Sequence, residues 1–243
     1  MCGRFTQAMP WSAVWAFSQP LALAVPDEPL VPRYNIAPTQ SAWVIASDGH
    51  GGAKAGTMRW GLVPHWGKDL KLGLSSFNAR IETAAAKPTF RQAFERRHCL
   101  LPASGYYEWV SAGKAKQPWY IRPVDAPMML FAGLWDRWQS PDGTTLLSFT
   151  VLTQAADGEL ASLHDRRPVM VPPSKIGYLQ NVVGTEPEVS PALLSRTAPP
   201  RLECAARTRP DSGRRWLEPL PPKAALVGCQ PCGHASRTAS WLG

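Results

Sequence analysis

The sequence predicts an α+β fold, a single compact domain that is mainly antiparallel β-sheet with several short helices. Short apolar or alternating runs recur along the first three quarters of the chain, and glycine, proline and aspartate separate them. Stretches with helical spacing are fewer. With 243 residues and a hydrophobic content of 44%, the chain can bury one sizeable core, or at most two small ones.

Five runs have the composition of strands. They lie at residues 42–46, 58–63, 118–121, 128–134 and 146–153. Turn residues punctuate them, as in Ser47-Asp48-Gly49 and Pro141-Asp142-Gly143. The pattern therefore predicts several short strands and turns, and it contains no internal repeat.

Helical spacing is found in two stretches, residues 10–17 and 83–97, and in the second Phe90 and Phe94 lie one turn apart. A third helix is predicted after Pro173. Residues 78–83 end a strand or loop and open a helix, where Glu82 falls in the first turn and is favourable there. We therefore expect a few short helices beside the sheet.

The composition changes near residue 176, which predicts two parts, 1–175 and 176–243. The second part holds nine of the 25 prolines and seven arginines against one lysine, so we expect loosely ordered chain there. It also contains Cys229-Gln230-Pro231-Cys232-Gly233-His234, the first half of a zinc-like spacing, but no fourth ligand follows. No metal site and no cofactor are predicted.

Charge and composition exclude several classes of protein. No apolar run approaches the length of a membrane span, and no secretion signal opens the chain. Five scattered cysteines do not form a disulfide framework. We expect a cytoplasmic, nucleoid-associated monomer without a membrane partner, and the net charge of +8 favours a polyanionic ligand.

The start of the chain is its most informative stretch. Cysteine is small enough for removal of Met1, which would leave Cys2 with an α-amine and a thiol whose ordinary pKa values are about 8 and about 8.5. The amine condenses with an aldehyde to an imine, and the thiol then closes on the imine carbon to form a thiazolidine. Cys2 therefore predicts a protein that captures aldehydes or uses an N-terminal nucleophile.

Three further side chains, Asn78, Arg80 and Glu108, suit chemistry at such a site. Asn78 can orient a sugar hydroxyl or an amine, and Arg80 can bind a phosphate bidentately, although Asn78 and Glu82 can equally shape a helix start. Glu108 lies between Tyr107 and Trp109, where burial would raise its pKa and make it a proton donor near neutral pH.

Two more motifs remain open at this point. His164 adjoins Asp165 and two arginines and can act as a general base, but a lone His-Asp pair is more often structural. Trp60 lies in an apolar run and is expected in the core. Trp66, next to His65 and near Lys68, is expected to be exposed and to stack on unpaired bases.

Together these motifs resemble the SOS response-associated peptidase (SRAP) family. The matching pieces follow in order at residues 1–5, 34–40, 59–66, 78–83, 99–109, 131–135 and 164–169. Each is weak alone, but seven in the right order make a specific match over residues 1 to about 172. The resemblance implies a barrel-like β domain with a basic groove that leads to residue 2.

The resemblance also implies a function, because similar family members shield abasic sites in single-stranded DNA through a covalent thiazolidine. On that basis Cys2 supplies the amine and thiol, Asn78 positions them, Glu108 assists ring opening and imine formation, and His164 assists proton transfer. Residues implied to contact DNA are Arg4, Pro38, Trp66, Arg80, Thr153 and Arg166. The partner is then single-stranded DNA with abasic sites, and the sequence identifies no replication-fork protein.

Three alternatives remain open. The chain can be a cysteine-type peptidase, with removal of Met1 by the protein itself, or a non-covalent binder of single-stranded DNA. The third rests on the tail, which lacks the Pro-Val-Ser-like closing strand typical of the family, so a missing core strand would leave the chain poorly folded. All of the candidate catalytic residues precede residue 176.

Overall fold

Two β-sheets and a few short helices make up the part of the chain that the computed structural model describes, residues 2–19, 21–113, 115–176 and 200–207. The strands are β1 (Arg4–Gln7), β2 (Leu23–Ala24), β3 (Arg33–Ile36), β4 (Ser41–Ser47), β5 (Ala53–Trp60), β6 (Asn78–Arg80), β7 (His98–Ala103), β8 (Gly105–Ala112), β9 (Ala115–Pro123), β10 (Met129–Gln139), β11 (Thr145–Ala155), β12 (Arg166–Pro168) and β13 (Leu202–Ala206). The helices are α1 (Trp11–Phe17), α2 (Ile81–Ala84), α3 (Arg91–Arg96) and α4 (Leu160–Leu163), with a 3-10 helix at Leu70–Leu74.

Five strands of the larger sheet close into a barrel. Strands β11, β10, β7, β4 and β5 are hydrogen-bonded in that order by antiparallel pairing, and β5 returns to β11 in parallel. Beyond the closing contact, the long strand β11 continues and pairs with β6 and β12. The prediction of a mainly antiparallel, barrel-like β fold with short helices is confirmed.

The smaller sheet carries the start of the chain. Its order is β13-β9-β8-β1-β3, and in it Arg4 pairs with Tyr107 and Phe5 with Tyr106. Because β1 runs antiparallel to β8, residues just before Arg4 lie beside residues just after Tyr107. This register brings Cys2 toward Glu108.

Side chains of the barrel strands alternate between two hydrophobic cores. Ile45, Leu100 and Leu152 pack with apolar residues of α1, α2 and α3. Their neighbours Val44 and Val151 instead pack with residues of the smaller sheet. The alternation follows from the two-residue period of a strand, and it makes each barrel strand apolar on both faces.

A proline and a glycine explain why one predicted helix and one predicted strand are shorter in the structure. The predicted helix over residues 83–97 is wrong as one element, because α2 ends at Ala84 and α3 begins at Arg91 with Pro88 between them. The predicted strand over residues 58–63 ends at Trp60. There Gly61 adopts a φ of +119°, and a Cβ at this position would lie 2.4 Å from the Gly73 carbonyl oxygen.

Strand β13 was not indicated by the composition of the chain beyond residue 176. Cys204 pairs with Ile121 and Ala205 with Tyr120 of β9, and the Arg122 guanidinium binds Glu203 across the same pair of strands. The motif at residues 229–234 lies outside the described residues, and the domain boundary near residue 176 stays a prediction. No helix in the described ranges is long and apolar enough to cross a membrane.

Candidate active site

Cys2 lies fully buried at the entry to β1. It packs in the core that contains Phe5, Trp60 and Tyr106, and its Sγ lies 3.8 Å from the Arg4 carbonyl oxygen. Burial, together with the negative charge of Glu108, raises the pKa of this thiol well above its ordinary value. Cys2 is therefore a neutral thiol at physiological pH, and it needs a base when it reacts.

Asn78 holds Cys2 in place. Its Nδ2 donates a hydrogen bond of 2.7 Å to the Cys2 carbonyl oxygen. Strand β6 supplies the position, because Asn78 pairs with Val151 of the barrel strand β11. The Asn78 Oδ1 is buried and has no hydrogen-bond partner among the described residues, so an acceptor is available next to Cys2.

Glu108 is a carboxyl group close enough to Cys2 for its charge to act on the thiol. It lies on β8 opposite Trp119 and is only 3% exposed, which confirms the sequence-based expectation of burial. Burial raises its pKa to about 7, against an opposing effect of the positively charged amino terminus. A carboxyl group with this pKa can give and take a proton at neutral pH.

His164 ends α4, the helix that lies against β8. Its Nδ1 is 3.0 Å from the backbone nitrogen of Arg166, which donates, and 2.6 Å from Asp165 Oδ1. Burial and the positive charge of the amino terminus lower the pKa of His164, while Asp165 opposes this shift. Nδ1 thus faces both a backbone donor and a carboxylate, and it can accept from the backbone N–H only when the proton of a neutral imidazole is on Nε2.

Arg166 makes a bidentate ion pair that the sequence did not predict. Its Nη1 and Nη2 each lie 2.8 Å from a carboxylate oxygen of Glu82, and Nη2 also donates to the Thr153 carbonyl oxygen at 2.6 Å. Thr153 itself is buried, with its hydroxyl donating to the Ala79 carbonyl oxygen at 3.3 Å. The guanidinium thus joins α2, β11 and β12.

Some of the candidate DNA-contacting residues are exposed, and others are hydrogen-bonded to neighbouring residues of the protein. Arg80 is exposed on β6, and Trp66 is 51% exposed, while Trp60 is fully buried, as the sequence predicted for both tryptophans. Arg4 is partly buried and donates to Asn35 Oδ1 at 2.7 Å. Arg80 and Trp66 are therefore accessible to a ligand in the free protein.

Pro38 lies in a tight turn. Gln40 N donates to the Ala37 carbonyl oxygen, and Thr39 has a φ of 76°. Proline at the second position and a positive φ at the third are features of a type II turn, in which threonine is strained. Thr39 N in turn donates to the Trp60 carbonyl oxygen at 2.8 Å, so the turn is fixed to the barrel.

Sequence reasoning named the candidate site residues but missed the partners of two of the arginines, Asn35 for Arg4 and Glu82 for Arg166. Glu82 was interpreted only as a helix-start residue. A usable signal was present in the alternation from residue 78 to residue 82. Ala79 and Ile81 enter the core, which leaves Asn78, Arg80 and Glu82 outside it.

The arrangement combines a buried thiol, a carboxyl group that titrates near neutrality, a neutral imidazole and an amide. No group of three or more His, Cys, Asp or Glu side chains capable of holding a metal ion occurs in the described ranges. The chemistry that these residues can perform is nucleophilic attack with general acid and base assistance.

Comparison with known proteins identifies close sequence relatives. The family model "SOS response associated peptidase (SRAP)" matches residues 1–206. The abasic site processing protein YoqW of Bacillus subtilis (strain 168) is 34% identical over 195 residues, which cover 80% of this chain and 86% of YoqW. The abasic site processing protein YedK of Escherichia coli (strain K12) is 30% identical over 180 residues, which cover 71% of this chain and 76% of YedK.

Solved structures share the fold. A crystal structure of a protein from Bordetella bronchiseptica superposes with a TM-score of 0.69 at 26% identity, over 86% of this chain and all of that one. A protein from Bacteroides thetaiotaomicron superposes with a TM-score of 0.68 at 22% identity, over 84% of this chain and 91% of that one. The family match includes β13, which ends at Ala206.

Proposed function

Because this chain belongs to the SOS response associated peptidase (SRAP) family, we propose that it processes abasic sites in single-stranded DNA by forming a covalent thiazolidine through Cys2. Relatives named abasic site processing proteins support the substrate. The observation that carries the proposal is the bond from Asn78 to the Cys2 carbonyl, which holds Cys2 beside a carboxyl group with a pKa of about 7.

The reaction begins with exposure of the nucleophiles. Hydrolysis of the peptide bond between Met1 and Cys2 consumes one water and frees the α-amine of Cys2. The Asn78 Oδ1 can then accept a hydrogen bond from this amine or from a sugar hydroxyl. With its carbonyl held by the same amide group, Cys2 is fixed for attack.

Imine formation is the first covalent step. The α-amine attacks the aldehyde carbon of the ring-opened deoxyribose, and a carbon–nitrogen bond forms. The imidazole of His164 assists transfer of a proton from that nitrogen to the former aldehyde oxygen, which becomes a hydroxyl. Glu108, protonated at the outset, gives its proton to the departing hydroxyl, so that one water leaves and a protonated imine remains. Glu108 is then a carboxylate.

Ring closure is the second covalent step. The Cys2 thiol is neutral before the reaction because burial raises its pKa, so its proton must be taken as sulfur attacks the imine carbon. The Glu108 carboxylate left by the first step accepts that proton. The carbon–sulfur bond then completes the five-membered ring, and Glu108 returns to its starting state.

Capture by sulfur protects the DNA strand. An imine at the abasic carbon acidifies the neighbouring protons and invites β-elimination, which breaks the strand. The thiazolidine no longer contains the imine, so this route is closed. Only a side chain with a thiol next to the α-amine can close the ring in this way, which explains cysteine at position 2.

Binding of the single strand is assigned to an exposed aromatic and basic surface. Trp66 offers a stacking face, and the exposed Arg80 can bind a phosphate. Arg4, Pro38, Thr153 and Arg166 complete the proposed channel. The formal charge of +8 supports attraction of the strand over a distance.

The test is denaturing gel electrophoresis after mixing the purified protein with single-stranded DNA that carries one abasic site. The wild-type protein is expected to form a heat-stable adduct, and Cys2→Ser is expected to form none while still binding the DNA. Intact-mass analysis establishes whether Met1 has been removed. No adduct from a folded protein that lacks Met1 would overturn the proposal, and DNA-independent peptide cleavage would favour a peptidase.

A further inference from the structure

We propose that Glu82 is a positioning residue of this site, which holds Arg166 so that the backbone of Arg166 fixes the imidazole of His164. The expected effect of Glu82 on the crosslinking rate rests on the proposed function. The effect of Glu82 on the imidazole does not, because the protonated ring nitrogen of His164 can be identified in the free protein. Glu82 contacts Arg166 through its side chain, and Arg166 in turn contacts His164 through its backbone N–H.

The ion pair has the geometry of a clamp. Both carboxylate oxygens of Glu82 accept from Arg166, at 2.8 Å each, and the Thr153 carbonyl oxygen accepts a further bond at 2.6 Å. Bidentate pairs between arginine and carboxylate restrict orientation more than single contacts do. The Arg166 side chain is 13% exposed and Glu82 is 47% exposed, so solvent screens only part of the pair.

The sequence around Glu82 fixes where this carboxylate lies. Strand β6 pairs with β11 so that Arg80 lies opposite Thr153, and α2 begins at the next residue. Ile81 enters the core immediately before Glu82. On the other side of β11, Ala155 pairs with Arg166. Glu82 and Arg166 therefore approach each other across one short stretch of β11.

The clamp acts on His164 through the main chain. The backbone N–H of Arg166 donates to His164 Nδ1 at 3.0 Å, which requires a lone pair on Nδ1 and places the proton of a neutral imidazole on Nε2. Asp165 Oδ1 lies 2.6 Å from the same nitrogen and can bond only when Nδ1 is protonated. The two contacts exclude each other, and a fixed Arg166 favours the first.

The same geometry limits what Arg166 has left for DNA. Both terminal nitrogens of Arg166 are bound to Glu82, and its Nε is buried without a hydrogen-bond partner in the described part of the chain. The negative charge of Glu82 also offsets the positive charge of the Arg166 guanidinium. Arg80, exposed on β6, is thus the stronger phosphate contact of the pair.

The first test reads the ring of His164 directly. Long-range proton–nitrogen NMR of the free protein distinguishes the two neutral tautomers, and His164→Gln identifies the signal among the five histidines. We expect the Nε2-protonated form in the wild type and a mixture of tautomers in Glu82→Gln. Glu95→Gln, which makes the same charge change on an exposed residue of α3, should match the wild type. An unchanged tautomer in Glu82→Gln would overturn the proposal.

The second test reads the reaction. At saturating abasic DNA, single-turnover crosslinking should slow at least tenfold in Glu82→Gln, since a displacement of about 1 Å can cost on the order of a hundredfold. Affinity for DNA with a non-reactive tetrahydrofuran site should be equal or tighter in Glu82→Gln than in Glu95→Gln, because loss of the carboxylate frees Arg166 for phosphate. A crosslinking rate at saturating DNA equal to that of Glu95→Gln would overturn the inference.

These readouts separate the two proposals. If the wild type forms no adduct, the proposed function fails, while the NMR comparison still decides whether Glu82 fixes His164. A thermal melt of each variant excludes loss of folding. Should Glu82→Gln prove too unstable, Glu82→Asp provides the second variant, since it retains the charge on a shorter side chain and should restore part of the Nε2-protonated signal.

Discussion

Glu108→Gln should make the protein inactive and should abolish a loss of stability that the wild type shows as the pH rises through neutrality. Burial raises the pKa of Glu108 to about 7 from an ordinary 4.5, so the folded protein holds a proton that the unfolded chain releases. Between these two values the folded state binds more protons, and the free energy of unfolding therefore falls as the pH rises. Glutamine keeps the shape of the side chain and removes this titration.

The magnitude follows from the difference between the two pKa values. A full shift of this size corresponds to about 3 kcal/mol, since each unit is worth about 1.4 kcal/mol. Between about pH 5 and about pH 8, the stability of the wild type relative to Glu108→Gln should fall by about 2.5 kcal/mol. The buried amide adds an offset of about 1–3 kcal/mol if its N–H groups lack acceptors, but that offset does not depend on pH.

Urea unfolding followed by tryptophan fluorescence at several pH values measures this difference. Glu95→Gln, with the same charge change on an exposed residue, provides the baseline. Because the comparison uses differences between variants, titration of all other groups cancels as long as they do not contact Glu108. A difference between wild type and Glu108→Gln that stays constant with pH would refute the assignment of a raised pKa.

Three further predictions concern binding and the turn before β4. Trp66→Ala should weaken non-covalent binding of single-stranded DNA by about 1–3 kcal/mol, as measured by fluorescence anisotropy, and unchanged affinity would remove Trp66 from the channel. Arg80→Gln should lower the slope of log affinity against log salt by about 0.7, whereas Arg166→Gln should lower it less; equal changes would contradict the clamp. Thr39→Gly should raise the free energy of unfolding by about 1 kcal/mol by relieving its positive φ, and a destabilised variant would argue against strain in this turn.

Fold class and the main strands were predictable because their signals are local. Alternating apolar residues and turn residues identify β4, β10 and β11 without knowledge of their partners. Closure of the barrel depends on the parallel contact between Phe149 and Trp60, which are far apart in sequence, and no local pattern encodes it. The resemblance to a family, rather than the pattern, suggested the barrel.

The site was predictable to a different degree for each kind of residue. Cys2 and Glu108 have a chemical signature of their own, a thiol next to an α-amine and a carboxylate among aromatic residues. Glu82 has none, because its importance comes from contact with Arg166, 84 positions later. Likewise β13 pairs with β9 through its backbone, and the arginine-rich composition around it conceals a strand.

The most direct test of the account is the intact mass of the adduct formed without a reducing agent, followed by peptide mapping. The account predicts a mass equal to that of the protein without Met1 plus that of the abasic DNA, less one water, with the modification on Cys2. An adduct that appears only after borohydride reduction would indicate an imine that never closes, and an adduct on any other residue would contradict the central role of Cys2.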